Sequence, residues 1–187
     1  MRIISGNFKG KKILEPKNLV TRPLKDLTKE SIFNIILHSN KFKVTIDGSN
    51  VLDLFSGVGS FGLECLSRGS SHLTFIENYE KVLPILKRNI FNIKSENSST
   101  ILEKDIINNL NFKTLKIKFD IIFMDPPYKE DNLSILLDRV IKADILKKKG
   151  IIVIHRHKKD KIGHLKNFKI IEEKIYGISK VTFGTYF

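Results

Sequence analysis

The chain is expected to fold as an α/β domain around a mostly parallel sheet, and three features say so. From Val51 onward, short apolar β-type runs alternate with helical stretches. Repeated βα units of this kind build a parallel sheet with right-handed crossovers. A glycine turn, Gly57-Val58-Gly59, joins the first such strand to the helix that follows. The tail from Phe168 to Phe187 alternates without another helix, which predicts an antiparallel hairpin at the sheet edge.

Before that pattern lies a smaller element, residues 1–40, expected to form an arm ahead of a main domain at 41–187. Arg2-Ile3-Ile4, a Gly6-Asn7 turn and Phe8 to Leu14 read as a β-hairpin. Thr21-Arg22-Pro23-Leu24-Lys25 reads as extended, because a residue before proline avoids the helical region. Asp26 is placed to cap a helix running to about His38, with Ile32, Phe33, Ile35, Ile36 and Leu37 on its apolar face.

In the main domain, Val51 to Phe55 is the first strand, and Phe61 to Arg68 a helix stopped by Gly69. His72 to Glu77 is the second strand. A helix follows from about Tyr79 to Asn92, and Pro84 either kinks it or marks its start. Asn92 to Ser99 is polar and reads as a loop, and a weaker strand sits near Thr100 to Leu102. Phe119 to Met124 is the fourth strand, Leu133 to Leu146 a helix, and Ile151 to Ile154 a fifth strand. The closing hairpin turns around Tyr176-Gly177-Ile178-Ser179.

The 187 residues suit one domain with a real core. The charge balance is unusual: 33 Lys+Arg against 20 Asp+Glu give a net +13. Such an excess favours a polyanionic partner, nucleic acid first. One cysteine, Cys65, excludes an internal disulfide framework and fits a small buried hydrophobe. The N-terminus lacks a signal-peptide pattern and no apolar run reaches membrane-spanning length, so the cytoplasm is the expected compartment.

Chemistry concentrates at strand ends, where open α/β sheets bind ligands. Asp125-Pro126-Pro127-Tyr128 closes the fourth strand with an acid, two rigid prolines and an aromatic ring. Each proline fixes φ and lacks an N–H, so the Pro126 carbonyl is expected to point outward as a free acceptor. Two acceptors and a flat ring suit the exocyclic amine of a planar base. Asp125, Pro126 and Tyr128 are therefore the candidate catalytic residues, for transfer to a nucleobase nitrogen.

The glycine turn follows an acid, Asp53-Leu54-Phe55-Ser56-Gly57-Val58-Gly59-Ser60. A carboxylate there repels a pyrophosphate but attracts a cation. S-adenosylmethionine, with its sulfonium and amino group and no phosphate, is favoured over NAD, and S-adenosylhomocysteine is the product. Glu77, about 20 residues past the glycines, is spaced to accept from ribose hydroxyls. Asp105, after the third strand, is placed to meet the adenine amine, or else to cap a short helix that follows it. Phe55, Asn78 and Ile106 are counted with Asp53, Gly57, Gly59, Glu77 and Asp105 as cofactor-binding. His155 and His157 tempt a metal reading, but alternate strand residues face opposite sides and no acid or cysteine joins them, so no metal is expected.

Together these residues resemble the class I, Rossmann-like S-adenosylmethionine-dependent methyltransferases. More narrowly, the chain is similar to the bacterial 16S ribosomal RNA guanine-N2 methyltransferases of the RsmD type. The similarity rests on Arg2-Ile3-Ile4-Ser5-Gly6 with Lys9-Gly10, on Arg22-Pro23, Asp26, Glu30 and Phe33-Asn34, on the Asp53–Gly59 segment, and on Asp125–Tyr128. It implies that Asp53, Gly57 and Gly59 line the methionine end of the cofactor, Glu77 the ribose and Asp105 the adenine. It also implies that Asp125 to Tyr128 hold the target guanine. The partner it implies is 16S rRNA, the small ribosomal subunit or an assembly intermediate of it. No membrane partner is expected, and the protein is expected to be a monomer. The arm cations Arg2, Lys9, Lys11, Lys12, Arg22 and Lys25 are expected on RNA phosphates. The chain departs from the family at Leu24 and Leu27, and at His155-Arg156-His157, where many members carry an acid. An adenine-N6 methyltransferase, a non-catalytic RNA-binding assembly factor on the same scaffold, and a dehydrogenase are the rival readings. The last is disfavoured by Asp53 and by the missing third glycine.

Overall fold

A computed structural model describes residues 1–16, 24, 26–108, 110–127, 132–160, 163 and 167–186. Seven strands form one sheet in the order β3-β2-β1-β4-β5-β7-β6. They are β1 (Asn50–Leu54), β2 (His72–Glu77), β3 (Ser99–Glu103), β4 (Phe119–Met124), β5 (Leu146–His157), β6 (Phe168–Tyr176) and β7 (Ser179–Tyr186). The first five run parallel. β7 is antiparallel to both of its neighbours, as the alternating tail predicted. The strand order reverses direction between β1 and β4, which opens a crevice beyond their C-terminal ends.

The sheet has a core on each side, and strand alternation sorts side chains between them. Val51, Ile121, Phe123, Ile151 and Val153 pack on one side under α1 (Asp26–His38), α2 (Ser60–Ser67) and α3 (Leu83–Asn92). Leu52, Leu54, Ile122, Met124, Ile152 and Ile154 pack on the other under α4 (Leu133–Ala143). Phe61 joins the first core to the sheet, stacked 4.0 Å from Phe123 and 5.1 Å from Phe33. Among the described residues, no helix is long and apolar enough to cross a membrane.

Three element boundaries differ from those read in sequence. α3 begins at Leu83, four residues later than expected, with Pro84 in its first turn, where a missing N–H costs nothing. α4 ends at Ala143, because Asp144 turns into the left-handed region and closes it. β5 starts at Leu146, well before Ile151: its register against β4 shifts between Phe119 and Ile121. The exposed lysines 147–149 conceal that first half from any apolar pattern.

The N-terminal hairpin is closed by one antiparallel bridge, Arg2 to Lys12. Its turn spans residues 5–10 rather than Gly6-Asn7 alone, so Phe8 to Gly10 lie in the turn and not in the expected second strand. The hairpin is sewn onto α2. Glu64 accepts from the Ile4 and Ser5 amides at 2.8 and 2.9 Å and from Arg68 Nε at 2.9 Å. Lys29 of α1 donates to the Arg2 carbonyl at 2.8 Å and to Ser60 Oγ at 3.3 Å, with Glu64 at 3.8 Å. Both the Lys29 and Glu64 side chains are fully buried. Burial pulls the Lys29 ammonium below its usual range, and the facing Glu64 and Asp26 oppose that. Gly6 lets the hairpin touch α2: a Cβ there would stand 1.9 Å from the Ser67 carbonyl oxygen. Ile3 and Ile13 complete the contact by entering the same core as Phe33 and Phe61.

Candidate active site

The C-terminal ends of β1, β2, β4 and β5 converge at the crevice. Asp53 lies on the α2 side of β1 and is 1% exposed, with its Oδ2 accepting from the Gly62 amide at 3.1 Å. Burial pushes its carboxyl well above the usual carboxylate range. The Gly62 hydrogen bond opposes this, while the nearby Asp125 and Glu77 push in the same direction. Three carboxylates therefore share one end of the sheet, two of them raising the buried third.

The loop after β1 turns sharply. Phe55, Gly57 and Gly59 all have left-handed φ, at 59°, 54° and 84°. For Phe55 that conformation costs about 1–3 kcal/mol, a strain typical of ligand-binding turns. The two glycines serve different purposes. A Cβ on Gly59 would sit 2.6 Å from Leu86 Cδ1, whereas a Cβ on Gly57 would meet nothing within 4 Å. Both positions favour glycine for their φ; Gly59 also packs close to Leu86, and Gly57 borders open space.

Glu77 ties this loop down. Its Oε2 accepts from the Gly57 amide at 2.7 Å, and its Oε1 from the Asn78 and Tyr79 amides, both at 2.9 Å. Asp105 spends its carboxylate on its own turn, accepting from the Ile107 amide at 2.9 Å and the Asn108 amide at 3.0 Å. Its other oxygen accepts from Asn108 Nδ2 at 2.9 Å. These bonds, led by the Asn108 side chain, hold it below the usual carboxylate range. The carboxylate thus caps a turn, where the sequence reading offered a short helix. Ile106 is buried in the α4-side core, and Arg139 of α4 holds its carbonyl at 3.1 Å and also bonds the carbonyls of Ile107 and Leu110.

The tip of β4 is held differently from expectation. The Asp125 amide donates to the Leu54 carbonyl at 3.4 Å, and its Oδ1 lies 2.8 Å from His155 Nδ1. The Pro126 carbonyl is not free. Arg156 Nη1 donates to it at 3.3 Å and to the Pro127 carbonyl at 2.6 Å. Its second lone pair still allows it to accept again. Tyr128 lies outside the described residues, as do Arg22 and Lys25.

His155 and Arg156 are the site residues that the sequence reading missed. The signal was the parallel ending of two strands, each an apolar run closed by a polar residue: Met124 then Asp125, Ile154 then His155. Met124 pairs with Ile154, so the next residues stand side by side. Among the described residues no group of three His, Cys, Asp or Glu is arranged to hold a metal ion. On the hairpin, Arg2, Lys9, Lys11 and Lys12 are all exposed. Lys11 Nζ reaches the Asn92 carbonyl at 3.2 Å and lies 5.2 Å from the Phe8 ring centroid.

A phosphate-bearing nucleotide would meet carboxylates here rather than a cradle of donors. The strand order and the site between β1 and β4 define instead a class I, Rossmann-like methyltransferase. The likeness to solved structures agrees on the fold. The Escherichia coli protein yhhF superposes with a TM-score of 0.80 at 23% identity, covering 100% of this chain and 97% of that one. SMU.776, solved in complex with SAH, matches at a TM-score of 0.64 and 16% identity over 84% of this chain and 49% of that one.

The chain belongs to the family described as Conserved hypothetical protein 95 (Cons_hypoth95), whose model matches residues 1–185. Relatives include the Ribosomal RNA small subunit methyltransferase D of Buchnera aphidicola subsp. Acyrthosiphon pisum. It is 32% identical over 92% of this chain and 86% of its own length. The Haemophilus influenzae protein of the same name is 28% identical over 95% of this chain and 90% of that protein. The motif resemblance drawn from the sequence is to the same set of proteins.

Proposed function

We propose that this protein is an S-adenosylmethionine-dependent methyltransferase of small-subunit 16S ribosomal RNA, and that its target is the exocyclic N2 amine of one guanine. The observation that carries the reading is the buried, undercompensated Asp53 beside the open space at Gly57. A ligand with a sulfonium and an ammonium, and no phosphate, relieves that charge. Asp53 and Gly57 would hold the methionine end, with Gly59, Phe55 and Ser56 shaping the turn. Glu77 and Asn78 would hold the ribose, and the turn that Asp105 caps, with Ile106 in it, would border the adenine. Bound there, S-adenosylmethionine supplies a methyl already activated on sulfur, which passes to the amine nitrogen as the C–S bond breaks, leaving a neutral thioether.

The chain's own work is to bind, orient and polarise the amine. The lone pair of the guanine amine is delocalised into the ring, which makes it a poor nucleophile. Accepting its two hydrogens at the Asp125 carboxylate and the Pro126 carbonyl favours a pyramidal nitrogen with an available lone pair. The nitrogen then sheds a proton to water. Tyr128 is assigned to stacking on the base, worth about 1–3 kcal/mol. A base reached this way must be unstacked, so a loop or junction of the RNA suits the site better than a regular helix.

The hairpin and α1 are assigned as the RNA-facing arm of a monomeric, cytoplasmic enzyme, with Arg2, Lys9, Lys11, Lys12, Arg22 and Lys25 on phosphates. Replacing Lys9, Lys11 and Lys12 together by glutamine should lower the slope of log K against log salt for RNA binding by about 2, since each released phosphate contact contributes about 0.7–0.9. An unchanged slope in a filter-binding series would remove those lysines from the phosphate grip.

The reading is tested by titrating S-adenosylmethionine into the protein, and by offering it naked 16S RNA, small subunits and duplex DNA with labelled donor. Nucleoside mass spectrometry of the product should show N2-methylguanosine. Methyladenine would favour the adenine-N6 reading, and absence of donor binding the scaffold reading.

A further inference from the structure

We propose that the end of β5 is a two-sided splint for the catalytic tip of β4. In this arrangement His155 fixes the Asp125 carboxylate, Arg156 fixes the proline carbonyls, and the pair so held accepts a primary amine and stops after one methyl. This rests on the methyltransferase reading and names what limits that same site.

Successive residues of a strand face opposite sides of the sheet, so His155 and Arg156 reach the tip from its two faces. A carboxylate only accepts, so the 2.8 Å contact puts the hydrogen on His155 Nδ1 and commits Asp125 Oδ1 to it. Oδ2 is then the oxygen presented to the substrate, on a side chain still 20% exposed. On the other face, Arg156 Nη1 donates to the Pro126 and Pro127 carbonyls at 3.3 and 2.6 Å, and the Asp160 carboxylate lies 2.9 Å from its Nε as an ion pair. Neither residue can drift easily. His155 is 7% and Arg156 5% exposed, and their backbones pair with Val181 and Lys180 of β7.

A tip pinned this way presents two acceptors at a fixed spacing. A primary amine fills both; a methylated amine has one hydrogen left and leaves one acceptor without a donor. That mismatch should slow a second transfer about 10- to 100-fold. His155 and Arg156 are positioning residues: neither needs to touch the base.

The test uses the full chain with S-adenosylmethionine and the RNA that the wild-type protein methylates. His155→Ala should lower kcat about 10- to 100-fold with the KM for S-adenosylmethionine within about twofold. His155→Asn, whose amide nitrogen stands where Nδ1 does, should recover most of the loss. Arg156→Met keeps the length of the side chain but removes the donor that serves both carbonyls. It and His155→Ala should both yield detectable dimethylated nucleoside by mass spectrometry. Wild-type kcat in His155→Ala, or no recovery in a folded His155→Asn that binds the donor normally, would overturn the positioning role. Product that stays monomethylated in both variants would overturn the single-methyl limit. A wild-type protein that binds no donor and methylates no RNA would instead sink the methyltransferase reading itself.

Discussion

Asp125→Ala is expected to lower turnover at least about 100- to 1,000-fold, the cost of removing one preorganised group at a reacting centre. Donor binding should change little, because Asp125 reaches Asp53 only through its charge and shares no hydrogen bond with it. The expected pattern is a fall in kcat with a nearly unchanged Kd for S-adenosylmethionine by calorimetry. Asp125→Asn separates charge from shape. Its amide oxygen can still accept from His155, but its NH2 faces the substrate amine donor to donor. It should be close to alanine in rate, and near-normal turnover by either variant would remove Asp125 from the reaction.

Asp53→Asn has opposite effects on stability and function. Burial raises the Asp53 carboxyl in the folded chain, so folding favours its protonated form. The stability this contributes is present at acidic pH. It is lost as pH rises from the unfolded value, about 3.9, through the raised folded value. Above the unfolded value the buried carboxyl is therefore a burden on the donor-free protein. Asparagine removes that burden while its carbonyl oxygen keeps the Gly62 hydrogen bond. The variant should therefore unfold at a higher temperature than wild type near pH 7 when no donor is present. Its affinity for S-adenosylmethionine should fall about 10- to 100-fold, the worth of a hydrogen bond to a charged partner. In the wild type, affinity should rise with pH as Asp53 ionises; in the variant that part of the rise should vanish. A donor affinity equal to wild type would show that Asp53 does not face the cation.

Much of this architecture was legible because the sequence states it locally. The β-type runs of β1, β2 and β4 are bounded by turns, and the left-handed φ at Gly57 and Gly59 is a local demand that the residue type reveals. Asp53, Glu77 and Asp125 declared themselves as acids at the ends of apolar strands. What was not legible depends on which strands lie side by side. His155 matters because β5 neighbours β4 in a register that only the folded sheet sets. The extent of β5 was hidden because its first half carries lysines rather than apolar residues. Asp105 was ambiguous for another reason: whether a carboxylate caps its own turn or faces a ligand depends on the local φ/ψ and on how Arg139 holds the following carbonyls.

The hidden ammonium–carboxylate contact beneath the hairpin has a genetic consequence. Removing Glu64 alone would take the shared acceptor from Lys29, Arg68 and two hairpin amides at once, a loss typically of about 3–5 kcal/mol. Removing Lys29 alone leaves Glu64 with its Arg68 partner and should cost less. A lone change at Glu64 is therefore expected to survive only beside a compensating second change.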